Sequence, residues 1–285
     1  MWPFSLRSVV PVLRFYGPVG MVTPLRPGLA IASVAGAVEK AFNLSKLPSV
    51  AVVINSPGGS PVQSNLIFKR IRQLAEEKGK KVYVFCEDVA ASGGYFLAIS
   101  GDEIYADPSS IVGSIGVISA SFGFVDAIGK LGIERRVYTA GLSKSTLDPF
   151  LPEKPEDVAR LQAIQRDVHD VFIGLVKERR AGKLRAPDAE LFSGAFWSGP
   201  KAAELGLIDG ISDVRTKMRE VHGPDVRLQV VEPAKTGLLG RLRRMTPRVL
   251  CATAGLEVPA NASLAFADDL VSAMETRAMW SRYGL

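Results

Sequence analysis

Val50-Ala-Val-Val-Ile54-Asn-Ser-Pro-Gly-Gly59-Ser60-Pro61 opens on five apolar residues in a row, four of them β-branched. Such a run suits a strand buried on both faces, as in a parallel sheet covered by helices. Asn55 to Gly59 then supplies turn chemistry. Ser60 is placed to cap a helix, with Pro61 at its first position. Leu66, Ile67, Ile71 and Leu74 extend an apolar stripe to about Glu77, and Gly79 stops it. Strand, glycine turn and helix within residues 50–79 make one α/β unit.

The same alternation continues in both directions. Val9 to Phe15 reads as a strand and Ile31 to Phe42 as a helix. Lys81 to Cys86 is a strand, Ser92 to Ile99 a short apolar helix, and Glu103 to Ala106 another strand. Further strands are expected over Ser114 to Ser119 and Ile133 to Thr139, with a helix near Val125 to Leu131. Pro155 to Lys183 reads as one long helix with Val158, Leu161, Ile164, Val168, Val171, Phe172 and Leu175 on one side. Strands alternating with helices place the chain in the α/β class. A composition change near Pro233 divides the chain into a domain over 1–232 and a basic, amphipathic tail over 233–285.

Charge narrows the partners. The formal net charge is +6, and Lys235, Arg241, Arg243, Arg244 and Arg248 contribute +5 within residues 233–250, where there is no acid. The rest is nearly neutral, so no broad basic face or motif for nucleic acid is expected. The tail segment has two readings: a solvated or packed helix, or a peripheral contact with an anionic membrane. No secretory signal is visible. The longest uncharged stretch, Pro108 to Val125, is too rich in Ser, Gly and Pro for a spanning helix. A cytoplasmic location, peripheral at the inner membrane if the tail binds lipid, is the expectation. Cys86 reads as a buried inert thiol, with a disulfide to Cys251 as the alternative. No paired-cysteine site or Walker-type loop is present, and neither metal nor cofactor is expected.

The chemistry concentrates at two glycine turns. In Ala91-Ser92-Gly93-Gly94-Tyr95 a serine sits between a strand and a short helix. A helix start offers free N–H groups, and the amide of Gly93 could hold an oxyanion forming beside Ser92. Gly58 and Gly59 could supply a second donor. Taken alone, each turn is better explained as capping and close packing. A nucleophilic serine needs a base. The two histidines, His169 in the long helix and His222 at a helix end, are far in sequence from any glycine turn and read as core or surface residues. Lysine is then the candidate. Lys144, in Gly141-Leu-Ser-Lys144-Ser-Thr, is flanked by small and apolar residues. A free lysine titrates near ~10.4, so it would have to be desolvated to act as a base.

Asn55-Ser-Pro-Gly-Gly59, Ala91-Ser-Gly-Gly94, Gly113-Ser-Ile-Gly116 and Gly141-Leu-Ser-Lys144, in this order, resemble the signal peptide peptidase A family of Ser-Lys proteases. Phe192-Ser-Gly-Ala-Phe-Trp-Ser-Gly through Ile208-Asp-Gly210 is similar to that family's closing motif. The resemblance spans about residues 8–215. It implies a crotonase-like, Clp-protease-like spiral of ββα units. It implies Ser92 as nucleophile, Lys144 as base and Ser114 as the hydroxyl that holds the lysine amine. Gly58, Gly59 and Gly93 match the oxyanion region. The Clp protease would have a histidine at about the Ser114 position, and this chain has none there. Members usually carry an N-terminal membrane helix, which is not seen here. The half-length form implies a homo-oligomeric ring with the site completed between protomers, acting on peptides such as signal-peptide remnants. A crotonase-fold acyl-CoA enzyme and an inactive scaffold of the same fold are the alternatives.

Overall fold

The computed structural model describes residues 8–20, 28–141, 143–232 and 272–285. Strand β2 (Ser49–Ser56) lies between β1 (Val9–Tyr16) and β3 (Lys81–Ala91), parallel to both. Its side chains alternate between two cores. Val50, Val52 and Ile54 join Leu13, Phe15, Val82 and Val84, while Ala51 and Val53 join Val10, Val12, Tyr83 and Phe85. The unbroken apolar run is thus explained by burial on both faces.

Outside this centre, β3 divides its pairing. Tyr83–Cys86 pairs with β4 (Glu103–Ala106), and Val89–Ala91 pairs with β5 (Ile111–Gly113). Strand β6 (Phe196–Ser198) runs antiparallel to β5; β7 (Gly210–Ile211) pairs with β4 and β8 (Arg227–Val231) with β1. The order across the sheet is β6-β5-β3-β2-β1-β8, with β4 and β7 off this path. The larger core is covered by α1 (Ile31–Leu44), α2 (Pro61–Lys78) and α3 (Gly93–Ala98). Ser60 caps α2 by accepting from the Gln63 amide, and Gly79 ends it in the left-handed region at φ 58°. The smaller core is closed by Met218 of α8 (Val214–His222).

Two expected strands do not form. Beyond β5, Gly113 (φ 115°) and Ser114 (φ 53°) turn the chain away, so 114–119 leaves the sheet. Residues 133–139 are β-branched and aromatic in part, but no strand among the described residues pairs with them, and strand propensity needs a partner. The short helix expected near 125–131 is present as α4 (Val125–Lys130). The long helix α5 (Pro155–Arg179) buries only Asp157, Phe172 and Val176; Ile164 and Val171 of its expected apolar side are exposed. On α2, Leu66 is likewise exposed, and Phe68 takes its place in the core.

The closing motif folds back through α6 (Asp188–Leu191), β6, α7 (Gly199–Glu204) and β7. Asp209 anchors it. Its carboxylate accepts from buried Arg180 at 2.7 Å, from Lys183 at 2.7 Å and from the Ile104 amide at 2.8 Å. Burial alone would raise the Asp209 carboxyl, but the bonds from Arg180 and Lys183 outweigh it and hold it below the usual range. Cys86 is a buried free thiol, pushed up to about 12 by burial. Cys251 and the basic segment 233–250 lie outside the described residues. Residues 272–281 are helical, and just beyond them Tyr283 meets Phe196 of β6 edge to face, with ring centroids 5.2 Å apart.

Candidate active site

Ser92, Ser114 and the two glycine turns converge at one end of the sheet. Strand β3 ends at Ala91 beside Gly113 of β5, and the Ser92 amide donates to the Gly113 carbonyl at 2.8 Å. The two serines therefore follow adjacent strand ends. From Val89 to Gly101 every residue is buried except Ser92. Its backbone, at φ 52° and ψ −120°, lies in a region costly for a residue with a Cβ. That strained strand-to-helix turn thrusts the hydroxyl out of the buried run, and no hydrogen bond engages it among the described residues.

Glycines make the close approach possible. A Cβ on Gly58 (φ 102°) would stand 2.8 Å from both the Gly93 nitrogen and the Ser92 Cβ. A Cβ on Gly93 would stand 2.7 Å from Ser64 Oγ and 3.1 Å from the Gly59 nitrogen. The amides of Gly59 and Gly93 are thus neighbours beside Ser92, and neither donates to a described acceptor. The turn is braced from beneath. Asn55 donates to Asp88 and accepts from the Val89 amide, and Ser64 is fully buried with its hydroxyl on the Ser60 carbonyl.

Three described non-glycine residues have positive φ: Ser92, Ser114 and Leu147. Two of these are the predicted site serines, and the third lies three residues beyond Lys144. The Lys144 turn is tied by Thr146 donating to the Ser143 carbonyl and by Asp148, which accepts from Arg135 at 3.0 Å. Backbone and Arg135 bonds hold the Asp148 carboxyl below its usual range. Lys144 itself is exposed. Its amine has no hydrogen-bond or ion-pair partner among the described residues, and no bond joins it to Ser92 or Ser114 within one copy of the chain.

Sequence reasoning missed the residues that hold Ser114. Its amide donates to the Ala195 carbonyl at 2.7 Å, and the Trp197 ring fills the space a Cβ on Gly113 would need. His169 of α5 lies on the same segment, with Nε2 donating to the Ile115 carbonyl at 3.1 Å. The closing motif signalled the first two; nothing in the helical pattern around His169 signalled the third. A serine–histidine pair does exist elsewhere. His222 Nε2 is 2.9 Å from Ser49 Oγ, but Ser49 is 2% exposed at the start of β2, away from either glycine turn. Among the described residues no group of three His, Cys, Asp or Glu is placed to hold a metal.

The profile of peptidase family S49 matches residues 74–224, more than half the chain, and takes in Ser92, Ser114 and Lys144. The chain belongs to peptidase family S49. A candidate protease of Synechocystis sp. is 30% identical over 243 residues, 82% of this S49 chain and 84% of that protein. The chloroplastic serine protease SPPA of Arabidopsis thaliana is 31% identical over 219 residues, 74% of this chain and 32% of its own length. A Brucella abortus protein named Na(+)/H(+) antiporter NhaA is 54% identical over 282 residues, 99% of this chain. The chain spans only 38% of that relative, so the antiporter name does not describe the shared segment, which the S49 profile does. No described helix is long and apolar enough to cross a membrane.

Proposed function

We propose that this S49 chain is a serine endopeptidase in which Ser92 is the nucleophile and Lys144 the general base. The observation that carries the reading is Ser92 itself. It is the single accessible residue in a buried run, on a strained turn, with two unengaged amides beside it. In this reading neutral Lys144 accepts the Ser92 proton as the oxygen attacks the scissile carbonyl. The Gly93 and Gly59 amides hold the oxyanion. Lysine then protonates the leaving amine, and the acyl-enzyme is hydrolysed by water that Lys144 activates. Ser114 holds the lysine amine. Extended peptides, signal-peptide remnants or unfolded segments are the substrate class. We assign the sheet to the crotonase-like spiral, supported by the division of β3 between β4 and β5.

The dyad is assigned across a boundary between copies in a homo-oligomeric ring. Lys144 is exposed and has no partner among the described residues, and the segment around it presents Ile118, Phe122, Leu131, Ile133 and Tyr138 to solvent. So much apolar surface on one arm calls for a covering partner. A second copy would cover it and bring Lys144 to a neighbouring Ser92. Labelling with a fluorophosphonate probe and mapping the adduct by mass spectrometry tests the nucleophile. The adduct is expected on Ser92 and absent from Ser92→Ala; an adduct elsewhere, or none in the assembled protein, removes the assignment.

A further inference from the structure

Charge gathered late in the sequence has no part in the proposed hydrolysis. Nine of the 35 Lys and Arg residues and three of the 29 Asp and Glu fall within 214–250. That stretch therefore holds the entire formal +6, and the other residues balance at 26 of each sign. Within its described part, α8 sorts its cations by face. Lys217 is committed to Glu220 at 2.7 Å and lies 5.1 Å over the Tyr105 ring. Arg215 and Arg219, one turn apart, instead line a hollow of about 400 Å³ with Arg227 of β8 and the connecting turn from Pro224. The size falls in the range of about 300–1,000 Å³ usual for ligand sites.

The backbones of Arg215 and Arg227 are tied down, and none of the three arginine side chains is neutralised. The Arg215 amide donates to the capping Asp213, and the Arg227 amide to the Ser8 carbonyl. Their guanidinium groups have no ion pair or hydrogen bond among the described residues, a state shared with Arg166 and Arg185 but not with Arg70, Arg72, Arg135, Arg136, Arg160, Arg179 and Arg180, which are paired with acids. One acid, Asp225, lines the hollow, and it forms no ion pair with them. The hollow keeps a net charge of two. Three cations gathered around one space that holds a single carboxylate favour an anion there. Planar guanidinium forks suit an oxyanion that can take two hydrogen bonds from each. Arg227 pairs with Val9 at the start of β1, while Ser92 follows the end of β3, so an occupant would leave the serine open.

We propose that Arg215, Arg219 and Arg227 form a binding site for a phosphate oxyanion, either free phosphate or the phosphate of an anionic lipid headgroup. The test uses the full chain, Arg215→Gln/Arg219→Gln/Arg227→Gln, and a control that loses the same charge at three exposed lysines, Lys40→Gln/Lys69→Gln/Lys78→Gln. Inorganic phosphate is titrated by calorimetry. Co-sedimentation uses phosphatidylcholine vesicles with and without phosphatidylglycerol. Binding is expected to weaken at least about 10-fold in the arginine variant and less than about 2-fold in the control. Sedimentation with the anionic vesicles that is lost in the arginine variant assigns the headgroup. Phosphate binding without vesicle binding assigns free phosphate. Equal weakening in both variants, or no binding of either probe by the unsubstituted chain, overturns the site. Arg219→Gln alone, at an exposed position, repeats the reading if the triple variant misfolds. Probe labelling of Ser92 is expected unchanged throughout, so failure here is separable from failure of the peptidase assignment.

Discussion

Ser92 and Ser114 share a positive φ that a chain adopts only when its surroundings impose it. At Ser92 the surroundings are the Gly58–Gly59 turn below and Gly113 beside. Ser92→Ala and Lys144→Ala should each lower peptide hydrolysis by at least about 10³-fold with the fold kept, as removing a member of a catalytic unit does. Circular dichroism and a peptide assay on the same samples check this; an active Lys144→Ala rules out that base. His222 provides a pH test of stability rather than catalysis. Burial lowers its pKa below the ordinary value, so the folded protein disfavours the charged imidazole. Its contribution is present in full above the unfolded value, near ~6.5, and is lost as the pH falls below it. Urea melts from pH 7.5 to 5 should show stability falling with pH, with a smaller slope in His222→Gln. Equal slopes would mean that His222 titrates alike in both states.

At the scale of elements, the closing motif works as a clamp. Asp209 ties α7 and β7 to the end of α5 through Arg180, and to β4 through the Ile104 amide. Arg180 is 2% exposed, so Asp209→Ala would strand a buried guanidinium. The expected cost is about 3–5 kcal/mol, read from urea unfolding. A loss below about 1 kcal/mol would mean that Arg180 finds another partner or water. The capping of α2 and the two-sided burial of β2 are legible in the sequence, because Ser60, Pro61, Gly79 and the run Val50–Ile54 act through local stereochemistry and unbroken apolarity. The strands expected over 114–119 and 133–139 failed because pairing is not local. One segment is turned out of the sheet at Gly113, and the other has no strand to pair with among the described residues.

At the scale of the whole molecule, the proposed dyad needs a second copy of the chain to bring Lys144 to Ser92. If a neighbouring copy completes the site, mixing inactive Ser92→Ala with inactive Lys144→Ala should restore part of the activity, since some boundaries then carry both native residues. Subunit exchange is verified by tagged pull-down, and no recovery in proven mixed rings would place the dyad within one chain. In the assembled enzyme kcat/KM should rise towards alkaline pH along a single limb, because only the unprotonated amine accepts the serine proton. A flat profile from pH 6 to 9, with chemistry limiting, would count against lysine. The sequence by itself determined the α/β class, the caps of α2 and the two glycine turns, since periodicity, capping and φ > 0 are set by neighbours in the chain. It also offered Ser92 as a candidate through the glycines after it. Only the tertiary structure decided that Ser92 alone emerges from a buried run, that Gly59 and Gly93 stand side by side, and that Trp197, Ala195 and His169 hold the Ser114 segment. These are approaches between residues far apart in the chain, 54 positions in the case of His169 and Ile115. Parallel strand pairing and the return of the closing motif create them, and no local pattern encodes either.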